Sequence, residues 1–195
     1  LAKDVRPGVD VKTHHTSEKV RTSVKVLAEM LTADHLLQKS SQESEPNELE
    51  ALAKQFRQRT IEKEYLALVH GRVTRVGEVD AAIGRHPSDR KRMSTSARRS
   101  RAAVTSYEPI ETFATTTLLL VRPRTGRTHQ IRVHLAAAGW PIVADSLYGR
   151  GRSKSDAKRA DPIMPRLALH ASRIAFDHPT TGQRMVVGAR RPPDL

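Results

Sequence analysis

The residues best suited to chemistry lie in one run, RTGRTHQIRVHL, from Arg124 to Leu135. A turn at Gly126 is followed by an apolar helical spacing, so the run predicts a strand, a turn and the start of a helix. Free amides and the helix dipole attract anions at such a start. Arg127, His129 and Gln130 fall in the predicted first turn. We therefore expect an anion-binding element here.

Two other chemistries fit this run less well. A phosphate-binding P-loop needs a glycine five residues before Gly126 and a lysine after it, and this chain has neither. His129 and His134 are five residues apart, off one helical face, and the chain has no cysteine to complete a zinc site. We expect no metal.

The charge of the chain indicates a polyanionic partner. Thirty-four Lys and Arg residues against 21 Asp and Glu give a net charge of +13, which favours nucleic acid. The surplus is concentrated between residues 84 and 101, where the one acid is Asp89, whereas residues 1–46 carry seven basic and seven acidic side chains. The basic residues of this stretch are Arg85, Arg90, Lys91, Arg92, Arg98, Arg99 and Arg101. A solvated charged loop is the alternative.

The chain begins with a helical pattern that differs from the rest of the sequence. Val20, Val24, Leu27 and Leu31 share one predicted helical face, and a polar linker runs from residue 38 to residue 47. A second helix is predicted after it, where Asn47 and Glu50 form a capping box and Leu49, Leu52, Ala53 and Phe56 form the buried stripe.

Beyond Thr60 the pattern becomes mixed, with short strands and one helix that Gly139 ends in a left-handed conformation. The predicted strands are Tyr65–Val69, Glu78–Ile83, Ala102–Phe113, Thr115–Arg124, Leu167–Phe176 and Met185–Val187; the helix is Thr128–Ala138, and Arg150–Pro165 is a surface loop. The sequence thus predicts an α+β domain over residues 47–195, preceded by a segment of uncertain role over residues 1–46. No signal peptide or membrane-length apolar run is found, so we expect a cytoplasmic protein without a membrane partner.

The run TGRTHQIRVHLAAAGWPIVADSLYG, residues 125–149, resembles the signature of the RluA-type RNA pseudouridine synthases. Three other segments resemble that family in the same order, and together the match covers residues 47–195. They are RTIEKEYLALVHG (59–71), IGRHPSDRKRM with AVTSYEPIETF (83–93 and 103–113), and LALHASRIAFDHPTTGQRM (167–185).

The resemblance implies a mixed, largely antiparallel sheet flanked by helices, and isomerisation of uridine to pseudouridine in RNA, with ribosomal RNA as the expected substrate and no cofactor. It implies that Tyr65 stacks on the target base, although by position alone Tyr65 would be a core aromatic. It implies that Arg132 pairs with the catalytic carboxylate and keeps it ionised. The residues expected to bind RNA are Arg85, Arg90, Lys91, Arg92, Arg98, Arg99, Arg127, His129 and Gln130; the last three have positioning of the active-site loops, or simple helix capping, as alternatives.

One piece of the family pattern is not found. Family members carry the catalytic aspartate in an HRLDxxTSG-like segment, and no such segment precedes Tyr65. Asp10 precedes Thr16-Ser17 by six positions, where the family has three, so it is a weak candidate for the nucleophile. The chain is therefore expected to be a pseudouridine synthase or a catalytically inactive, RNA-binding or ribosome-associated member of the family. A partner chain could cover the sheet edge that the missing strand would leave.

Overall fold

The structure is a computed structural model that describes residues 48–149 and 163–195. The helix predicted over Val20–Leu31, the caps at Asn47, the domain boundary and Asp10 lie outside these residues, as does most of the predicted loop Arg150–Pro165. The elements in chain order are α1 (Glu48–Gln58), β1 (Glu62–His70), β2 (Gly77–Asp80), β3 (Ile83–Arg85), β4 (Met93–Ser94), β5 (Ser100–Arg101), β6 (Val104–Thr112), β7 (Thr116–Pro123), α2 (Gln130–Ala137), β8 (Leu169–Asp177) and β9 (Arg184–Gly188).

The chain divides into two compact units, and the first combines α1 with a closing hairpin. The part of β8 from Arg173 onwards pairs antiparallel with β9. Its small core comprises Leu52, Ile61, Phe176 and Val187. The side chain of Gln55 joins the helix to the hairpin, because its Nε2 donates to the Asp177 carbonyl at 2.7 Å and its Oε1 accepts from the Asp177 amide at 2.8 Å.

The second unit, Lys63–Ser172 with Arg190–Leu195, contains the larger core. Strands β2, β6, β7 and β1 lie side by side in that order, and each pairs antiparallel with its neighbour. Strand β7 is central: Thr117, Leu119 and Val121 are fully buried on one face, and Leu118 is buried on the other. The strand predicted over Thr115–Arg124 is confirmed, and its continuous apolar run reflects burial on both faces.

The strands of a three-stranded sheet, β4-β3-β5, lie along the basic stretch, and we call residues 84–101 the basic hairpin. The single strand predicted over Glu78–Ile83 is wrong, because β2 ends at Asp80 and the next strand, β3, belongs to this second sheet. Gly84, in the middle of β3, permits the neighbouring chain to pack closely, since a Cβ there would lie 2.0 Å from the Arg99 carbonyl oxygen.

Helix α2 begins two residues later than predicted. His129 occupies the N-cap position with a left-handed backbone (φ 55°), and the helix runs from Gln130 to Ala137. The prediction that Arg127 and His129 lie in its first turn is therefore wrong; they precede the helix. The physical reason is the Gln130 side chain, which folds back to accept a hydrogen bond from the Arg127 amide at 3.0 Å and holds a turn there. Gly139 follows the helix with φ 87°, as predicted.

The observed architecture confirms the α+β prediction, with a largely antiparallel sheet and helices beside it. In the described part of the chain, no helix combines the length and apolarity needed to cross a membrane.

Candidate active site

Arg132 on α2 forms the best-defined polar contact of the second unit. Its Nε donates to Oδ2 of Asp145 at 2.8 Å, and its Nη2 donates to Oδ1 at 2.7 Å, so the two planar groups meet as a fork. The Asp145 side chain is completely buried, whereas 15% of the Arg132 side chain is exposed. The guanidinium is thus fixed in orientation, while part of the Arg132 side chain is accessible to solvent.

Asp145 is held as a carboxylate by its donors. Burial raises the pKa of this group, but the hydrogen bonds from Arg132 and from the Leu147 and Tyr148 amides outweigh burial and lower the pKa below its ordinary value. The same hydrogen bond to Asp145 raises the pKa of Arg132. Both shifts favour the charged forms of the two side chains.

Asp145 is the partner of Arg132 among the described residues; the pairing of Arg132 with a catalytic aspartate, which the family resemblance implies, stays a prediction. Two of the Asp145 oxygen contacts come from Arg132, and Oδ1 also accepts from the amides of Leu147 (2.9 Å) and Tyr148 (3.0 Å). Three of these donors bind Oδ1 and one binds Oδ2, so this fully buried carboxylate is held in place by its neighbours and is poorly placed to attack a substrate. The sequence analysis did not identify Asp145. The sequence signal was an aspartate whose side chain can accept from the backbone amides two and three residues later, here those of Leu147 and Tyr148.

The Tyr148 ring lies against this ion pair and against the basic hairpin. The Arg132 guanidinium carbon is 5.0 Å from the ring centroid, and that of Arg92 is 5.4 Å from it. The phenol oxygen accepts from the Met93 amide at 2.8 Å and lies 3.0 Å from Nδ1 of His129. The structure thus brings Arg92, His129 and Arg132 together around one tyrosine.

A second network surrounds Gln130, which is 4% exposed. Its Oε1 accepts from the Thr125 hydroxyl at 2.6 Å as well as from the Arg127 amide. Its Nε2 donates to the Val104 carbonyl at 2.9 Å and to the Thr105 hydroxyl at 3.0 Å. These internal bonds agree with a role in positioning the loop; the RNA contact of Gln130 stays a prediction.

Lys63 carries an unusual environment that the sequence did not reveal. Its Nζ donates to the Thr125 carbonyl at 3.1 Å, and the side chain is buried. Burial lowers its pKa to about 8. Because side chains alternate along a strand, Lys63 and Tyr65 point to the same side of β1. The TGRTHQIR turn is therefore tied to the strand that carries Tyr65.

Tyr65 lies in β1 opposite Val121 of β7 and packs against the main core while remaining partly exposed. Burial raises the pKa of its phenol, so it is neutral at physiological pH. No hydrogen bond, ion pair or ring contact between Tyr65 and Arg132 is formed within residues 48–149 and 163–195. Their joint action on one base stays a prediction.

The basic hairpin presents its charges to solvent. Six of its cations are exposed, whereas Arg92 is partly buried against Tyr148. The exposed residues are Arg85, Arg90, Lys91, Arg98, Arg99 and Arg101. Arg127 precedes α2 and donates through Nε to the Ala102 carbonyl at 3.3 Å. Among the residues that the structure describes, no group of three or more His, Cys, Asp or Glu side chains could hold a metal ion.

Comparison with known proteins places this geometry in a family. Residues 44–137 match the sequence model of a family described as RNA pseudouridylate synthase. A ribosomal large subunit pseudouridine synthase D from Nitrosomonas europaea is 44% identical over 146 residues, which cover 74% of this chain and 42% of the relative. The chain belongs to the RNA pseudouridylate synthase family.

Further relatives of this chain carry similar names. The synthase D of Pseudomonas aeruginosa is 38% identical over 150 residues, covering 74% of this chain and 46% of the relative. The solved structure of human RNA pseudouridylate synthase domain containing 1 matches with a TM-score of 0.63 at 27% identity, covering 74% of this chain and 60% of that one. The chain spans less than half the length of these two bacterial relatives.

Proposed function

We propose that this chain acts in the isomerisation of uridine to pseudouridine in ribosomal RNA. The observation that carries the proposal is the guanidinium of Arg132, which Asp145 holds in orientation and whose side chain is partly exposed, together with a hairpin that has six exposed cations. Relatives that the chain matches are named ribosomal large subunit pseudouridine synthases, which supports ribosomal RNA as the substrate. A cytoplasmic location, where such RNA is found, forms part of the same proposal.

The reaction breaks the bond between N1 of uracil and C1′, turns the base and joins C5 to C1′; C5 loses a proton and N1 gains one. The hairpin would hold the phosphates while the target nucleotide leaves the stack. Tyr65 would stack on the base and assist removal of the C5 proton. Arg132 would hold a second carboxylate ionised through its Nη1 edge, which has no hydrogen-bond acceptor among the described residues.

The nucleophile is the open component of the proposal. Asp145 is unsuited, because it is buried and both of its oxygens already accept hydrogen bonds. Asp10, outside the described residues, stays the one candidate that the sequence offers. Asp10→Asn should abolish turnover if Asp10 attacks the base or the sugar. Unchanged turnover in that variant would remove Asp10, and a partner chain would then be the next source to test.

Tritium release from RNA labelled at C5 of uridine tests the isomerisation directly. We expect the full chain to release tritium from a ribosomal stem–loop, and Arg132→Met to lower the rate at least about 100-fold, because a mispaired catalytic carboxylate loses its charge and orientation. Arg124→Met, which removes an exposed arginine outside the site, is the control.

The second candidate is an RNA-binding member of the family without turnover, which the burial of Asp145 and its engagement in four hydrogen bonds favour. Salt-dependent binding of the stem–loop with no tritium release from folded protein would establish that reading and overturn the proposed catalysis. Absence of RNA binding as well would overturn both.

A further inference from the structure

Tyr148 lies between two parts of the second unit that have different proposed tasks. It belongs to a small core that includes Ile83 at the base of the basic hairpin and Val133 on α2. Met93 of the hairpin packs against the same cluster, and Tyr148 is 8% exposed. The RNA-binding stretch and the helix that carries Arg132 therefore share this one aromatic side chain.

The hydroxyl of Tyr148 holds both sides by hydrogen bonds. The Met93 amide can only donate, so the phenol oxygen accepts from it, and the distance is 2.8 Å. The phenol oxygen also lies 3.0 Å from Nδ1 of His129, and the tautomer of His129 sets which of the two groups donates in this hydrogen bond.

The ring of Tyr148 orders two cations. Arg132 and Arg92 both lie within cation–π range of it, at 5.0 and 5.4 Å. Nε of Arg92 is buried and has no hydrogen-bond partner in the described part of the chain, so the ring is the feature that orients this guanidinium. The Tyr148 amide also donates to Oδ1 of Asp145, the same oxygen that Arg132 binds.

We propose that Tyr148 is a positioning residue that links the basic hairpin to Arg132, so that RNA held by Arg92 and the placement of the Arg132 guanidinium depend on one ring. The inference rests on the proposed function for the identity of the polyanion. It concerns Tyr148, which lies beyond the residues matched by the family model.

A double-mutant cycle on RNA affinity tests the link. Arg92→Met and Tyr148→Leu should each weaken binding of a ribosomal stem–loop about tenfold at fixed salt, because either change removes the oriented Arg92 cation. The double variant should be about as weak as either single variant, since both remove the same contact. Binding is measured by fluorescence anisotropy on the full chain.

A control cycle mutates Arg99 in place of Arg92. Arg99 is an exposed cation of the same hairpin with no described contact to Tyr148. Arg99→Met and Tyr148→Leu should multiply, giving a loss equal to the product of the single losses. Tyr148→Phe keeps the ring and should stay within about threefold of the wild-type affinity. Multiplying losses in the Arg92 cycle would overturn the proposal.

A readout without RNA separates this inference from the proposed function. Tyr148→Phe removes only the hydroxyl, so exchange of the Met93 amide with solvent should accelerate at least about fivefold and the His129 imidazole ¹⁵N shifts should move. Tyr107→Phe, a partly buried tyrosine with no described hydroxyl hydrogen bond, should change neither.

The outcomes are distinct. A wild-type chain that fails to bind RNA overturns the proposed function, whatever Tyr148 does. If the wild-type chain binds RNA and the Met93 amide exchanges equally fast in Tyr148→Phe and in Tyr107→Phe, the link through the Tyr148 hydroxyl is overturned. Because Tyr148→Phe leaves the core filled, this comparison stands even if Tyr148→Leu does not fold.

Discussion

The ion pair formed by Arg132 and Asp145 fixes the orientation of the guanidinium through two hydrogen bonds to a buried carboxylate. Removing two charges from water is costly, and the pair is stable because both Asp145 oxygens are satisfied and the geometry is bidentate. Breaking such a pair from one side leaves an uncompensated charge. The effect of the pair on the free energy of unfolding therefore appears mainly when one partner is removed.

We expect Asp145→Asn to destabilise the protein by about 3 kcal/mol, because the amide keeps the shape but leaves Arg132 without its counter-charge. Urea unfolding at pH 7.5 measures the change. Asp194→Asn is the matched control, since Asp194 also binds an arginine, Arg166, as a fork (2.6 and 2.9 Å) but lies on the surface. Equal destabilisation in the two variants would contradict the buried pair as the reason.

Among the helices and strands, α2 is fastened by side chains to the strands before it. His134 is fully buried; its Nε2 donates to the Ala81 carbonyl at 2.9 Å, and its Nδ1 lies 2.9 Å from the Thr105 hydroxyl. Because the Ala81 carbonyl can only accept a hydrogen bond, the ring proton of neutral His134 is assigned to Nε2. Nδ1 then accepts from the Thr105 hydroxyl. Thr105 in turn accepts from Gln130, so one directional series of hydrogen bonds joins α2, β6 and the segment after β2.

This series of hydrogen bonds predicts a loss of stability in mild acid. Burial lowers the pKa of His134, against the opposing effects of the Ala81 carbonyl and of Asp80. The unfolded chain binds the proton with a pKa of about 6.5, so the free energy of unfolding should fall by up to about 1.4 kcal/mol per pH unit below that value. Urea unfolding at pH 7.5 and 5.5 measures the fall. His134→Gln, although less stable at both values, should show a smaller fall; an equal one would contradict the role of His134.

For the whole molecule, the charge of +13 is a property of the chain, whereas contact with RNA depends on where the cations lie. Six exposed cations on the basic hairpin predict a slope of about −5 for log affinity against log salt. A diffuse field of all charges would give a steeper slope and would not depend on which residues were removed.

Replacing Arg90, Lys91 and Arg92 by alanine should therefore flatten this slope by about 2 to 3. The control triple, Lys54→Ala, Arg57→Ala and Arg190→Ala, removes the same charge from exposed positions outside the hairpin and should leave the slope near its original value. Filter binding at about 50 to 200 mM salt measures the slopes of both triple variants. Equal flattening by the two triples would indicate diffuse attraction in place of a local site.

Much of the fold could be predicted because its signals are local. The apolar run of β7, the glycine after α2 and the cluster of arginines each follow from neighbouring residues, and each is present in the structure. The boundary between β2 and β3 could not be predicted, because pairing with β6 or with β4 and β5 is a contact with distant residues. The start of α2 depended on the Gln130 side chain folding back, which spacing alone does not reveal.

Residue type and order were enough to establish the α+β class, the family resemblance and the basic character of residues 84–101. The partners of Arg132 became known only from the folded chain. Asp145 lies 13 residues away, and Arg92 lies 40 residues before Arg132 across the shared Tyr148 ring. Such partners are selected by burial, because a group removed from water must find its counter-charge or donor wherever the fold places one.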